Sequence, residues 1–273
     1  MMARMFVAAL AGTALFAATA FQSDVAEWRK SREAGLLRDG GWLTVTGLFW
    51  LKEGPNRFGK DAANAIVLPD GPARAGELTL RNGKVTAAMD GKDREIKPDS
   101  DDFLKVGRLS LYVIKRGDRY GIRLKDPESQ FLRDFHGIEY FPADEAYRIT
   151  ARFVAEPHKI PIVNVLGQTE QDDCPGYAEF RLHGQDVRLY PVLEEPDAKE
   201  LFFIFRDQTS GKETYGAGRF LYSELPRAGK VVLDFNEAYN PPCAFTPYAT
   251  CPLPPKENRL AVRIAAGEKK YGH

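Results

Sequence analysis

Three dipeptides, Asn82-Gly83, Asp90-Gly91 and Gly117-Asp118, each fall between short runs rich in Val, Ile, Leu and Tyr. Such pairs take the positive φ angles of two-residue hairpin turns, so their spacing predicts an antiparallel meander. Leu109 to Ile114 and Tyr120 to Leu124 form one predicted hairpin. A second set of predicted strands runs over Tyr147–Val154, Ile160–Leu166, Tyr177–Leu182, Val187–Leu193, Leu201–Phe205, Tyr215–Tyr222, Val231–Phe235 and Leu260–Ile264. Between the two sets, residues 127–146 carry little periodicity and read as a linker. The fold class is all-β, in two parts. Leu201–Phe205 is apolar on both faces, which predicts a central, doubly covered strand that ends at Arg206 and Asp207.

The first twenty residues depart from this pattern. Arg4 is followed by an uncharged Ala-rich stretch that ends in Ala18-Thr19-Ala20, the small-x-small pattern of a cleavable export signal. Cleavage leaves Phe21 first and places the mature chain in the periplasm or outside the cell. A short helix is expected over Ser23–Leu37, with Ser23 as its N-cap and Gly40-Gly41 as its stop. The resulting domain order is a signal at 1–20, a helix at 21–40, a β-sandwich at 41–126, the linker, and a C-terminal β domain at 147–273.

With 273 residues and 44% hydrophobic content the chain has enough apolar mass for a real core, and Lys plus Arg and Asp plus Glu both number 38. That balance argues against nucleic acid or an anionic membrane surface as partner. No later stretch is apolar enough to span a bilayer. Neither a Walker loop nor a G-x-S-x-G elbow, an H-E-x-x-H helix or a Cys/His pair at zinc spacing is present, so no cofactor or metal is expected.

Two resemblances follow from longer motifs. Phe58-Gly59-Lys60, Asn64 to Leu68 and Ala73-Arg74 match scaffold pieces of a forkhead-associated domain, which implies a β-sandwich. Ala73 stands where that family has its recognition serine and Gly76 where it has a structural histidine, so the resemblance implies the scaffold without the phosphate-binding hydroxyl. Over nearly the whole mature chain, the runs at Gly41–Gly59, Phe203–Tyr222 and Asp234–Lys269 resemble a bacterial and archaeal family catalogued as domain of unknown function 1684. The expected architecture is a forkhead-associated-like sandwich packed on a second antiparallel sandwich or barrel.

The candidate chemistry clusters near the C-terminal end. Asn240 to Leu260 holds six prolines and two cysteines with almost no charge before Lys256, and reads as a rigid lid. In an oxidising compartment Cys243 and Cys251 would close a small loop worth about 2.5 kcal/mol. Cys174 reads as an unpaired loop thiol. Arg206, Lys212, Tyr215, Arg219, Asn236, Asn240, Tyr248 and Asn258 form a set suited to a small polar or anionic ligand, because guanidinium forks and amides match oxyanions. Two alternatives stand beside that reading. One is a metal-independent hydrolase using Asp207, Asp234 or His136, whose neighbours are Asp134 and Glu139. The other is a structural module of the envelope, in which the same arginines are paired internally.

Overall fold

The computed structural model describes residues 5–272, and side chains from residue 20 onward. Its first helix, α1 (Met5–Leu37), is longer than expected. It runs unbroken through Ala20 and Phe21, so Ser23 is a helix-interior residue and not an N-cap. The Ala-rich stretch before it is itself strongly helix-forming, and nothing in it stops the helix. Residues 1–4 of the expected export signal lie outside the described residues. Among the described residues no helix is long and apolar enough to cross a membrane.

The chain divides into two compact units that interleave in sequence. One comprises residues 36–136 with 245–250; the other comprises α1 to Gly35, residues 137–244 and residues from 251 onward. The boundary expected within residues 127–146 falls between His136 and Gly137, while residues 245–250 group with the first unit and α1 up to Gly35 with the second.

The N-terminal unit contains β1 (Val45–Trp50), β2 (Gly54–Gly59), β3 (Ile66–Val67), β4 (Gly76–Arg81), β5 (Lys84–Met89), β6 (Lys92–Ile96), β7 (Leu104–Val106), β8 (Leu109–Arg116) and β9 (Arg119–Lys125). They make two sheets, ordered β1-β9-β8-β7 and β3-β2-β4-β5-β6, antiparallel except for the β2/β3 pair. Their inner faces share one core that includes Phe58, Leu78, Val85, Leu109, Leu111, Val113, Ile122 and Leu124. The alternation of strand side chains produces this arrangement: odd residues of β8 and even residues of β9 point inward. Asn82-Gly83 and Asp90-Gly91 turn as expected, all four with φ between 51 and 74°. The span expected to be a featureless linker carries a one-turn helix, α2 (Gln130–Arg133), capped by the Ser129 hydroxyl.

The C-terminal unit holds β10 (Arg148–Val163), β11 (Thr169–Leu182), β12 (Gln185–Leu189), β13 (Glu200–Phe205), β14 (Arg219–Glu224) and β15 (Lys230–Asp234). One sheet runs β12-β11-β10-β15, and β13 pairs with β14 in a second. Neither sheet closes into a barrel. The two strands expected at 147–154 and 160–166 merge into β10, because the register shift between Ala155 and His158 absorbs Pro157 as a bulge and the ladder resumes beyond it. Leu260–Ile264, expected to be a strand, is an irregular segment laid beside the end of β13, with Leu260 donating to Arg206 and Gln208 to Val262. β13 is buried from Leu201 to Phe205, but only one edge carries a full strand partner. The other edge meets Val192 through a two-bond bridge at Phe202.

Candidate functional site

Most of the residues expected to bind a ligand are structural. Arg219 is fully buried; it donates to Asp207, 3.3 Å away, and to the carbonyls of Ile264 and Ala266, with its guanidinium over the Phe205 ring. Asp207 also accepts from the Ile264 amide at 2.7 Å and the Thr209 hydroxyl at 2.8 Å. Thr209 and Thr214 share a 2.8 Å hydroxyl contact and are equally buried. The conspicuous run from Arg206 to Arg219 is thus a folded turn around a buried ion pair held by nearby hydroxyls and backbone groups, with the Arg219 Nε left without a hydrogen-bond partner among the described residues.

The asparagines serve the same purpose. Asn236 bonds both backbone groups of Asp144 and the carboxylate of Asp234, which also caps the turn at Phe235–Glu237. Asn258 bridges the Tyr190 N–H and C=O to the Ile204 carbonyl, and Asn240 donates to the Lys269 carbonyl. Arg206 and Lys212 are exposed. Tyr215 donates to the Cys243 carbonyl at 3.2 Å. Tyr248 falls in the N-terminal unit, edge-on to Phe131 at 6.4 Å. The proposed hydrolytic groups are not poised either: Asp207 spends both oxygens on the bonds just described, Asp234 one oxygen on Asn236 and the other on Arg148 at 3.5 Å, and His136 is exposed in the N-terminal unit.

Within the C-terminal unit, Cys243 and Cys251 face one another. The Cys243 N–H donates to the Cys251 sulfur at 3.2 Å and the Cys251 N–H to the Cys243 sulfur at 3.4 Å. Cys174 is not a loop residue; it is buried in β11, its thiol donating to the Gly176 carbonyl at 3.1 Å, and burial pushes its pKa up.

Unsatisfied chemistry lies instead on the outer face of the β1-β9-β8-β7 sheet. Register places Lys105, Ser110 and Lys125 side by side across β7, β8 and β9, and Tyr112 opposite Arg123. With Arg38, Asp39, Gly40, Thr44, Phe103 and Pro127, the first three line a pocket of about 320 Å³. Three cations and one acid therefore share a small space. Lys105 donates to the Ser110 hydroxyl at 2.6 Å. The Lys125 ammonium stands over the rings of Tyr112 at 4.9 Å and Phe103 at 5.1 Å. Burial, followed by the nearby Arg123 and Arg38 charges, lowers its pKa.

Arg123, only 3% exposed, lies one step along the same face. Its partners among the described residues are the hydroxyls of Tyr112 at 3.0 Å and Thr250 at 3.3 Å; its Nε has none. It stacks 4.9 Å from the Trp42 ring. A guanidinium so buried ordinarily has a carboxylate beside it. None of Arg38, Lys105, Ser110, Arg123 and Lys125 stood among the expected site residues. The signal was available: with Gly117-Asp118 as a two-residue turn, counting back along the hairpin pairs Tyr112 with Arg123 and Ser110 with Lys125.

A family model described as "Protein of unknown function (DUF1684)" matches residues 133–269. Among solved structures, the solution NMR structure of an uncharacterized protein of Haloarcula marismortui is 32% identical; the match covers 52% of this chain and 80% of that chain, with a TM-score of 0.43. No curated protein matches the chain.

Proposed function

This chain belongs to the family described as protein of unknown function (DUF1684), and from its own residues we propose that it is an exported protein that binds a small anionic ligand in the pocket of its N-terminal unit. The observation that carries the reading is Arg123, a buried cation with neutral partners only, beside a pocket whose lining holds Arg38, Lys105 and Lys125 against Asp39. Clustered cations repel one another and lose hydration on burial, costs that an incoming oxyanion offsets. The volume suits a metabolite-sized ligand, and Phe103 and Pro127 offer it an apolar wall. Export is supported by the composition of the first twenty residues.

The test is a thermal-shift series of the mature protein against acetate, malonate, pyruvate, benzoate and phosphate. At one hundred times Kd a ligand adds about 2.7 kcal/mol of stability. At least one anion raises Tm at constant ionic strength, and the shift falls severalfold in Lys105→Gln and Lys125→Gln. A flat response across the series would refute the reading.

A second reading is favoured by Arg219 and Asp207. Their mutual pairing, with the Ile264 and Ala266 carbonyls taking further N–H groups of Arg219, suits a C-terminal unit that acts as scaffold, with ligand chemistry confined to the N-terminal unit.

A further inference from the structure

Lys125 differs from most lysines of this chain in what its amine meets. Among the described residues the ammonium has no hydrogen-bond acceptor and no ion pair; it lies against two aromatic rings at the wall of the pocket, with Ser110 directly opposite in register. Ser110 accepts from Lys105, which leaves its own O–H free to donate. Arg38 and Lys105 share the lining and, among the described residues, form no hydrogen bond or ion pair to a carboxylate there.

We infer that Lys125 is a reactive amine that captures the carbonyl carbon of a small anionic carbonyl compound, of the 2-oxo acid class, as an imine. This rests on the reading of the pocket as an anion site. Arg38 and Lys105 hold the carboxylate, and Lys125 meets the adjacent carbonyl. An amine attacks only when unprotonated, and the same surroundings that deny it an acceptor favour that form: burial first, then the Arg123 and Arg38 charges, both lower its pKa, against a smaller opposing pull from Asp101 and Asp39. Desolvation next to another cation is a general way to activate a lysine.

The step balances without oxidant or reductant. The Nζ lone pair forms the N–C bond while the carbonyl π pair moves to oxygen, and one proton passes from the nitrogen to that oxygen to give a neutral carbinolamine. Loss of the hydroxyl together with the nitrogen's remaining proton, as water, leaves the imine. One carbonyl compound and one amine thus give one imine and one water.

Borohydride trapping tests this on the mature full-length protein with glyoxylate and pyruvate as probes, followed by peptide mass mapping. The expected result is a reduced adduct concentrated at Lys125, at least tenfold over any other lysine. It is absent in Lys125→Arg, which keeps the charge, and needs severalfold more probe in Lys105→Gln. Circular dichroism establishes that both variants fold. In parallel, an amine-specific acylating reagent titrated over pH should label Lys125 at lower pH than it labels the lysine of a free model peptide. Adduct spread evenly over surface lysines, adduct that persists in Lys125→Arg, or no adduct while anions still raise Tm each overturns the inference and leaves the anion site standing. No adduct and no Tm shift overturns both.

Discussion

At the scale of single residues, two arginines of the same chain have opposite surroundings. Arg219 sits in a dry niche with Asp207 and two carbonyls, and removing it leaves a buried carboxylate with its charge uncompensated. Arg219→Ala is expected to cost about 3 to 5 kcal/mol in urea unfolding, a size typical of breaking a buried pair. A loss below about 1 kcal/mol would show that the pair is not what holds the turn. Glu237 supplies a second expectation. Burial, with Asp234 adding to it, pushes its carboxyl up from 4.5 to about 7. The native protein then keeps a proton that the unfolded chain has released. The associated stability is complete below about pH 4.5 and is lost as pH rises through about 7. Because the side chain is only partly buried, solvent screening reduces the effect to about 1 to 2 kcal/mol. In Glu237→Gln that slope should vanish from stability measured between pH 4 and 8; an unchanged slope would locate the proton elsewhere.

At the scale of elements, the long β10/β11 ladder depends on one irregularity. The bulge at Ala155–His158 admits Pro157, and Gly176 opposite it has φ of 145°. A Cβ there would lie 2.0 Å from the Val154 carbonyl oxygen, against fixed backbone and not a movable side chain. Gly176→Ala should therefore destabilise by at least about 2 kcal/mol, where alanine at ordinary strand positions changes little. Denaturant midpoints of Gly176→Ala and of exposed Glu170→Ala make the comparison. Hairpin turns were legible in sequence since their dihedral demands are local. The bulge was not, because Pro157 reads as a strand breaker unless the partner strand supplies Gly176.

At the scale of the whole molecule, the proposed export and the cysteines are tested together. On that proposal N-terminal sequencing of the mature protein should begin at Phe21, and thiol titration after denaturation should find one reactive thiol. That count corresponds to Cys174, with Cys243 and Cys251 joined. The reciprocal N–H to sulfur bonds bring each sulfur beside the other residue's backbone, an arrangement in which the two thiols are close neighbours. Three thiols would leave the segment between Cys243 and Cys251 held by Pro247 and by bonds such as Thr246 to the Val45 carbonyl.

Local preference alone carried much of this protein. Two-residue turns dictated the meanders, the alternation of apolar residues dictated which strand faces form a core, and the Ala-rich start marked itself as unlike the rest. What tertiary structure decided was which charges found partners. Arg206, Arg219 and the asparagines from 236 to 258 read as a binding set because arginine and asparagine look alike whether they meet a ligand or a carbonyl. The difference rests on groups dozens of residues away, such as Ile264 and Ala266 for Arg219. Arg123 and Lys125 carried no signal that set them apart in the sequence, and became a candidate site only where β7, β8 and β9 brought cations together with no carboxylate beside Arg123. Turn and strand propensities act over a few neighbouring residues, whereas a charge is compensated by whatever the fold places within about 4 Å of it.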